Sequence, residues 1–79
     1  MQVAVVFAVF EGLSFSELND AALLETALDE SLVAGGFSLI HKHVHCFDPQ
    51  GVTAIAVVGE SHVALHSWPE EGVLFVDVA

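Results

Sequence analysis

Seventy-nine residues suffice for one domain, but with 54% of them apolar and only 15% charged, that domain cannot hide all its apolar surface alone. The formal charge is −10 and Lys42 is the only Lys or Arg, which excludes the basic footprint of nucleic-acid binding and disfavours phosphorylated substrates. The longest uninterrupted apolar run is Val3–Phe10, far short of the ~20 residues of a spanning helix, and Met1-Gln2 supplies no basic start for a signal peptide. A soluble, cytoplasmic homodimer or larger homo-oligomer is expected, and its acidity would favour a cationic small molecule. Cys46, the single cysteine, forms no internal disulfide.

In chain order, Val3–Phe10 is rich in Val and Phe and suits a strand buried on both faces. Glu11-Gly12 breaks it, and Ser14-Phe15-Ser16-Glu17 has the spacing of a capping box. A helix from about Ser16 to Ala34 follows, with Leu18, Ala21, Leu24, Leu28 and Leu32 on its apolar face. Glu17, Asp20, Glu25 and Asp29 line its other side, and Gly35-Gly36 ends it. Phe37–Phe47 alternates as a strand, Asp48-Pro49-Gln50-Gly51 is a turn, and Val52–Val58 is the next strand. Val63–Trp68 and Val73–Val78 are two more, joined through Pro69-Glu70-Glu71-Gly72. This order predicts an α+β two-layer sandwich: a mostly antiparallel sheet with one main helix on one face, occupying residues 1–79 as a single domain.

Generic motifs for zinc, nucleotides or a nucleophilic serine are missing from the sequence. What stands out is Glu60-Ser61 at a strand junction, with His62, then His66, Trp68, Pro69 and Glu70 just beyond. Upstream lie His45-Cys46-Phe47, Pro49, Gly51 and Thr53. Together these residues, from about His45 to Asp77, resemble the small prokaryotic S-adenosylmethionine decarboxylases, pyruvoyl-dependent enzymes of polyamine (spermidine) biosynthesis.

The resemblance implies that the Glu60–Ser61 bond breaks itself. The Ser61 hydroxyl attacks the preceding carbonyl, and elimination from the ester leaves a pyruvoyl group at position 61. It makes His66 the base that removes the Ser61 α-proton, a task a neutral imidazole suits. It makes Thr53, where the family usually has Ser, the hydroxyl that polarises the scissile carbonyl. The pyruvoyl cofactor then takes up the amine of S-adenosylmethionine and serves as an electron sink. Glu70 matches the residue that binds the substrate ribose, and Phe47 the aromatic that stacks on adenine. A nearby ring also favours the sulfonium, by about 0.5–2 kcal/mol. The family's proton-donor Cys falls two residues past Ala79, and Cys46 aligns to an unrelated position, so the chain is expected to lack the family's C-terminal segment and to cleave incompletely or not at all.

Taken singly, each residue has a plainer reading: a turn Ser, a core Phe, a hydrogen-bonded strand His. Their co-occurrence at the family's spacing outweighs those readings. Two alternatives stay open. One is an unprocessed homologue that binds ligand or oligomerises without catalysis. The other is a His-rich metal-binding domain built on His41, His43 and His45, which alternation places on one strand face. Those three span ~13 Å, too far for all to reach one ion, and no metal is expected.

Overall fold

A computed structural model describes residues 5–79. Five strands, β1 (Val6–Phe10), β2 (Leu39–Cys46), β3 (Val52–Val58), β4 (Ser61–Trp68) and β5 (Val73–Val78), form one sheet in the order β1-β5-β4-β3-β2. Every neighbouring pair is antiparallel. Two helices, α1 (Phe15–Leu18) and α2 (Ala21–Ala34), and a 3-10 turn at Pro69–Glu71 complete the described residues. The expected two-layer α+β architecture is the one observed.

The helix forms where a leucine stripe meets a row of small residues. Leu28 and Leu32 pack on Ala54, Ala56 and Val58 of β3 and on Val63 and Leu65 of β4. Ala54 and Ala56 are wholly buried, and their small side chains let α2 approach the sheet closely. Leu24 is also buried. From β2 and β5, Val44, Leu74, Val76 and Val78 close the sides of this core.

The predicted single helix is in fact two. Asn19 ends α1, and its Oδ1 accepts a hydrogen bond from the Gly51 backbone N–H at 3.0 Å. Asp20 then caps α2 by accepting from Leu23 N at 3.1 Å. Ser14 caps α1 as the box spacing foretold, accepting from Glu17 N, while its hydroxyl donates to the Glu17 carboxylate at 2.7 Å. Gly51 has φ +106°, a backbone conformation that L side chains rarely adopt, so the β2–β3 turn favours a glycine there.

Two further features rest on tertiary contacts. Glu25 and Asp29, which stay partly exposed, both reach Lys42 on β2, with Nζ at 2.9 Å from Glu25 Oε2 and 2.8 Å from Asp29 Oδ1. Lys42 faces the helix from an otherwise apolar strand face. Hydrogen bonds to Asp29, then to Glu25, raise its ammonium above the ordinary 10.5.

The strand expected to be buried on both faces is an edge strand. Val3 and Ala4 lie outside the described residues, and β1 pairs only with β5. Val6 is 61% exposed because α2 packs over β2, β3 and β4, and Phe7, on the face away from the helices, is 61% exposed too. The sheet face opposite the helices has no layer over it among the described residues. Phe47, Val57 and Trp68 are exposed there as well.

Candidate active site

Alternation along the strands sorts the sheet cleanly. Val52, Ala54, Val63 and Leu65 point to the helices, so Thr53, His62, His66, Phe75 and Asp77 point to the open face. There a cleft of about 590 Å³ lies over the ends of β3, β4 and β5, within the ~300–1,000 Å³ range of small-molecule sites.

One wall is aromatic. The Phe75 ring lies 5.8 Å from Phe7, tilted, and 6.4 Å from Trp68, edge-on. Across the cleft stands Phe47, half exposed and held edge-on by His45 at 4.6 Å. At the mouth, Gln50 Nε2 of the β2–β3 turn donates to Glu70 Oε2 at 2.7 Å, so the 3-10 turn and the β2–β3 turn are tied together there.

The floor is polar. Thr53 and His66 are directly opposite in the β3–β4 register, and Thr53 Oγ1 is 3.3 Å from His66 Nδ1. The other ring nitrogen, His66 Nε2, lies 2.9 Å from Asp77 Oδ2. Asp77 Oδ1 is 2.6 Å from His62 Nε2. Burial pushes the Asp77 carboxyl up, but the hydrogen bonds and charges of His62 and His66 outweigh it and hold the group below its ordinary 3.8.

The sign of this shift gives a stability prediction. Asp77 is a stronger acid folded than unfolded, so its contribution is fully present above pH ~3.9 and is lost as pH falls through the lower folded value. In urea titrations, the stability gap between the native chain and Asp77→Asn should be open at pH ~5, where the carboxylate is ionised. It should close below pH ~3.9. A gap that stays open in acid would show that the ion pairs do not carry it.

Four of the six expected site residues, Phe47, Thr53, His66 and Glu70, line this one cleft. Glu60 and Ser61 do not. They occupy the tight β3–β4 hairpin, where Val58 pairs with Ser61 and Gly59 has φ +51°. His66 is five residues further along the same continuous strand, roughly 16 Å at ~3.3 Å per residue. Alternation also turns Ser61 and His66 to opposite faces. Within one chain, then, the expected base and the bond it serves are apart.

Sequence reasoning missed Asp77, Phe7, Gln50, Trp68 and Phe75 as lining residues. Asp77 carried a signal, being the one charged residue of β5. The others read as ordinary strand or turn residues. The histidines of β2 take no part in the cleft floor: the His43 and His45 rings stack 6.3 Å apart. Among the described residues no three His, Cys, Asp or Glu side chains converge to hold a metal ion, and no helix is long and apolar enough to cross a membrane.

A helix-backed antiparallel sheet whose open face carries a hydroxyl–imidazole–carboxylate row in an aromatic cleft defines a small two-layer α+β domain. The fold is that of the adenosylmethionine decarboxylase from Aquifex aeolicus, with a TM-score of 0.84 over 92% of this chain and 60% of that one, at 23% identity. The family model for S-adenosylmethionine decarboxylase matches residues 5–79. Among curated relatives, the S-adenosylmethionine decarboxylase proenzyme of Prochlorococcus marinus (strain MIT 9313) is 43% identical over 80% of this chain and 50% of its own length. That of Carboxydothermus hydrogenoformans is 40% identical over 92% of this chain and 58% of its own. The chain belongs to the S-adenosylmethionine decarboxylase family, and it spans about half the length of the curated relatives it matches.

Proposed function

We propose that this chain is a self-cleaving S-adenosylmethionine decarboxylase-type protein of polyamine biosynthesis, cytoplasmic and homo-oligomeric, processed at Glu60–Ser61. The observation that carries the reading is the convergence of Phe47, Thr53, His66 and Glu70 in one cleft. Phe47 offers a ring to an adenine and to a sulfonium. Glu70, oriented by Gln50, offers carboxylate oxygens to a vicinal diol. Thr53 and His66 supply a proton donor and a proton acceptor in hydrogen-bond reach of each other.

The hairpin suits the pyruvoyl group that Ser61 would become. The Glu60–Ser61 bond lies at a turn, with Glu60 exposed and Ser61 partly so, and breaking it interrupts no strand interior. The fragment from position 61 onward would consist of β4 and β5, which sit in mid-sheet between β3 and β1 of the first fragment. Cleaved chains therefore stay assembled. Once formed, the pyruvoyl ketone would supply an electron sink for loss of CO2 from a bound amino acid.

Because Ser61 and His66 are far apart in one chain, the reading requires a second copy. Its hairpin would bring the scissile bond to this cleft across the uncovered sheet face, burying the aromatic wall as it does so.

Intact mass measurement after prolonged incubation tests the cleavage. The expected result is slow appearance of two products, residues 1–60 and a pyruvoyl-terminated 61–79, which separate only on denaturation. Ser61→Ala should give neither. Cleavage at any other bond, or none at all, would leave the unprocessed binding homologue as the better account.

A further inference from the structure

Asp77 receives no role from the residues first expected at the site, yet it has the most constrained geometry in the cleft. Its two carboxylate oxygens each meet a different imidazole of the neighbouring strand: Oδ1 meets His62 Nε2 at 2.6 Å, and Oδ2 meets His66 Nε2 at 2.9 Å. The pairing follows from register. Ala64 lies opposite Asp77 on β4, which puts His62 and His66 at the two diagonal positions. From the other side β1 presents Phe7 opposite Asp77, which is uncharged. From β3 comes Thr53, with His45 of β2 opposite it, and Glu70 stands at the cleft mouth.

We propose that Asp77 is the positioning residue of this cleft: its carboxylate accepts from Nε2–H of both imidazoles and so keeps Nδ1 of His66 free to take a proton beside Thr53. An ionised carboxylate has only acceptors, so each Nε2 facing it carries a hydrogen. A neutral His66 then has its lone pair on Nδ1, where the Thr53 hydroxyl donates to it across 3.3 Å. When Nδ1 takes up a proton the direction of that bond reverses, and the Thr53 hydroxyl is released to donate to another acceptor, such as a carbonyl oxygen. Asp77 thereby couples the base to the hydroxyl without touching the reacting atoms. His62, the residue that follows Ser61, holds the second oxygen and fixes the carboxylate in its plane.

The inference rests on the reading of His66 as proton acceptor for cleavage, but its test does not. Asp77→Asn preserves shape and replaces two acceptors by one acceptor and one donor. The amide cannot accept from both rings, so at least one of them must accept at Nε2 and carry its hydrogen on Nδ1. Imidazole nitrogen shifts of the full-length Ser61→Ala chain, measured above pH ~8 where ordinary imidazoles are neutral, report the tautomers directly. With Asp77 present, both His62 and His66 should be Nε2–H. With Asp77→Asn, one or both should cross to Nδ1–H. In the cleavable chain, processing should fall in step with the fraction of His66 that crosses, by roughly 100-fold at full crossing.

Three results would each overturn the proposal: His66 carrying its hydrogen on Nδ1 in the Asp77 chain, no change in either ring on Asp77→Asn, or full-rate cleavage with His66 crossed. The first needs no Asp77 variant and decides even if Asp77→Asn does not fold. A wild-type chain that never cleaves would refute the base reading alone, and the tautomers would still judge Asp77.

Discussion

Chains carrying Ser61→Ala and chains carrying His66→Ala are each expected to be inert alone and to regain cleavage when mixed and allowed to exchange. The two residues lie at opposite regions of β4, five positions apart and on opposite faces, so no side-chain rotation joins them within a chain. A mixed pair restores one complete set: the His66→Ala chain keeps its Glu60–Ser61 bond, and its partner keeps His66. With equal amounts and random pairing into dimers, about half of the His66→Ala chains should become cleavable, and none of the Ser61→Ala chains. His66→Ala alone should slow processing by roughly 100- to 10,000-fold, the usual weight of a positioned base. Failure to complement, with exchange verified by light scattering or native mass, would place both roles in one chain. It would also mean that the hairpin rearranges.

Leu28→Ala is expected to cost about 2–5 kcal/mol. Leu28 is fully buried at the centre of the helix–sheet contact, and its neighbours Ala54 and Ala56 are too small to collapse into the space it leaves. A chain of this size has a total stability of only about 4–12 kcal/mol, so the loss takes a large share and lowers the melting temperature by about 10–30 °C. Val33→Ala, on the same helix but 82% exposed, should change stability by less than about 0.5 kcal/mol. Urea midpoints of the two variants make the comparison. Equal effects would mean that α2 does not seat on the sheet as described.

Much of this was legible along the chain. Apolar alternation placed β3 and β5 to the residue, and β2 and β4 within two positions, because a half-buried strand writes its period into the sequence. The stripe through Leu24, Leu28 and Leu32 marked the buried face of α2 for the same reason. Phe47, Thr53, His66 and Glu70 were found by motif spacing, and spacing survives because the β2–β3–β4 meander joins them through short connections.

What the sequence left open depends on contacts between distant segments. Asn19, between α1 and α2, bonds to Gly51, and Glu25 and Asp29 pair with Lys42 of β2. An apolar run looks the same at a sheet edge as in its middle, so only strand order showed β1 to be an edge. Register between β4 and β5 brought Asp77 to His62 and His66, and strand length held Ser61 away from the base assigned to it. Local pattern records which face a residue takes, since burial acts on each residue in turn. Which residues meet across strands is set by pairing, and pairing is decided only when the whole sheet closes.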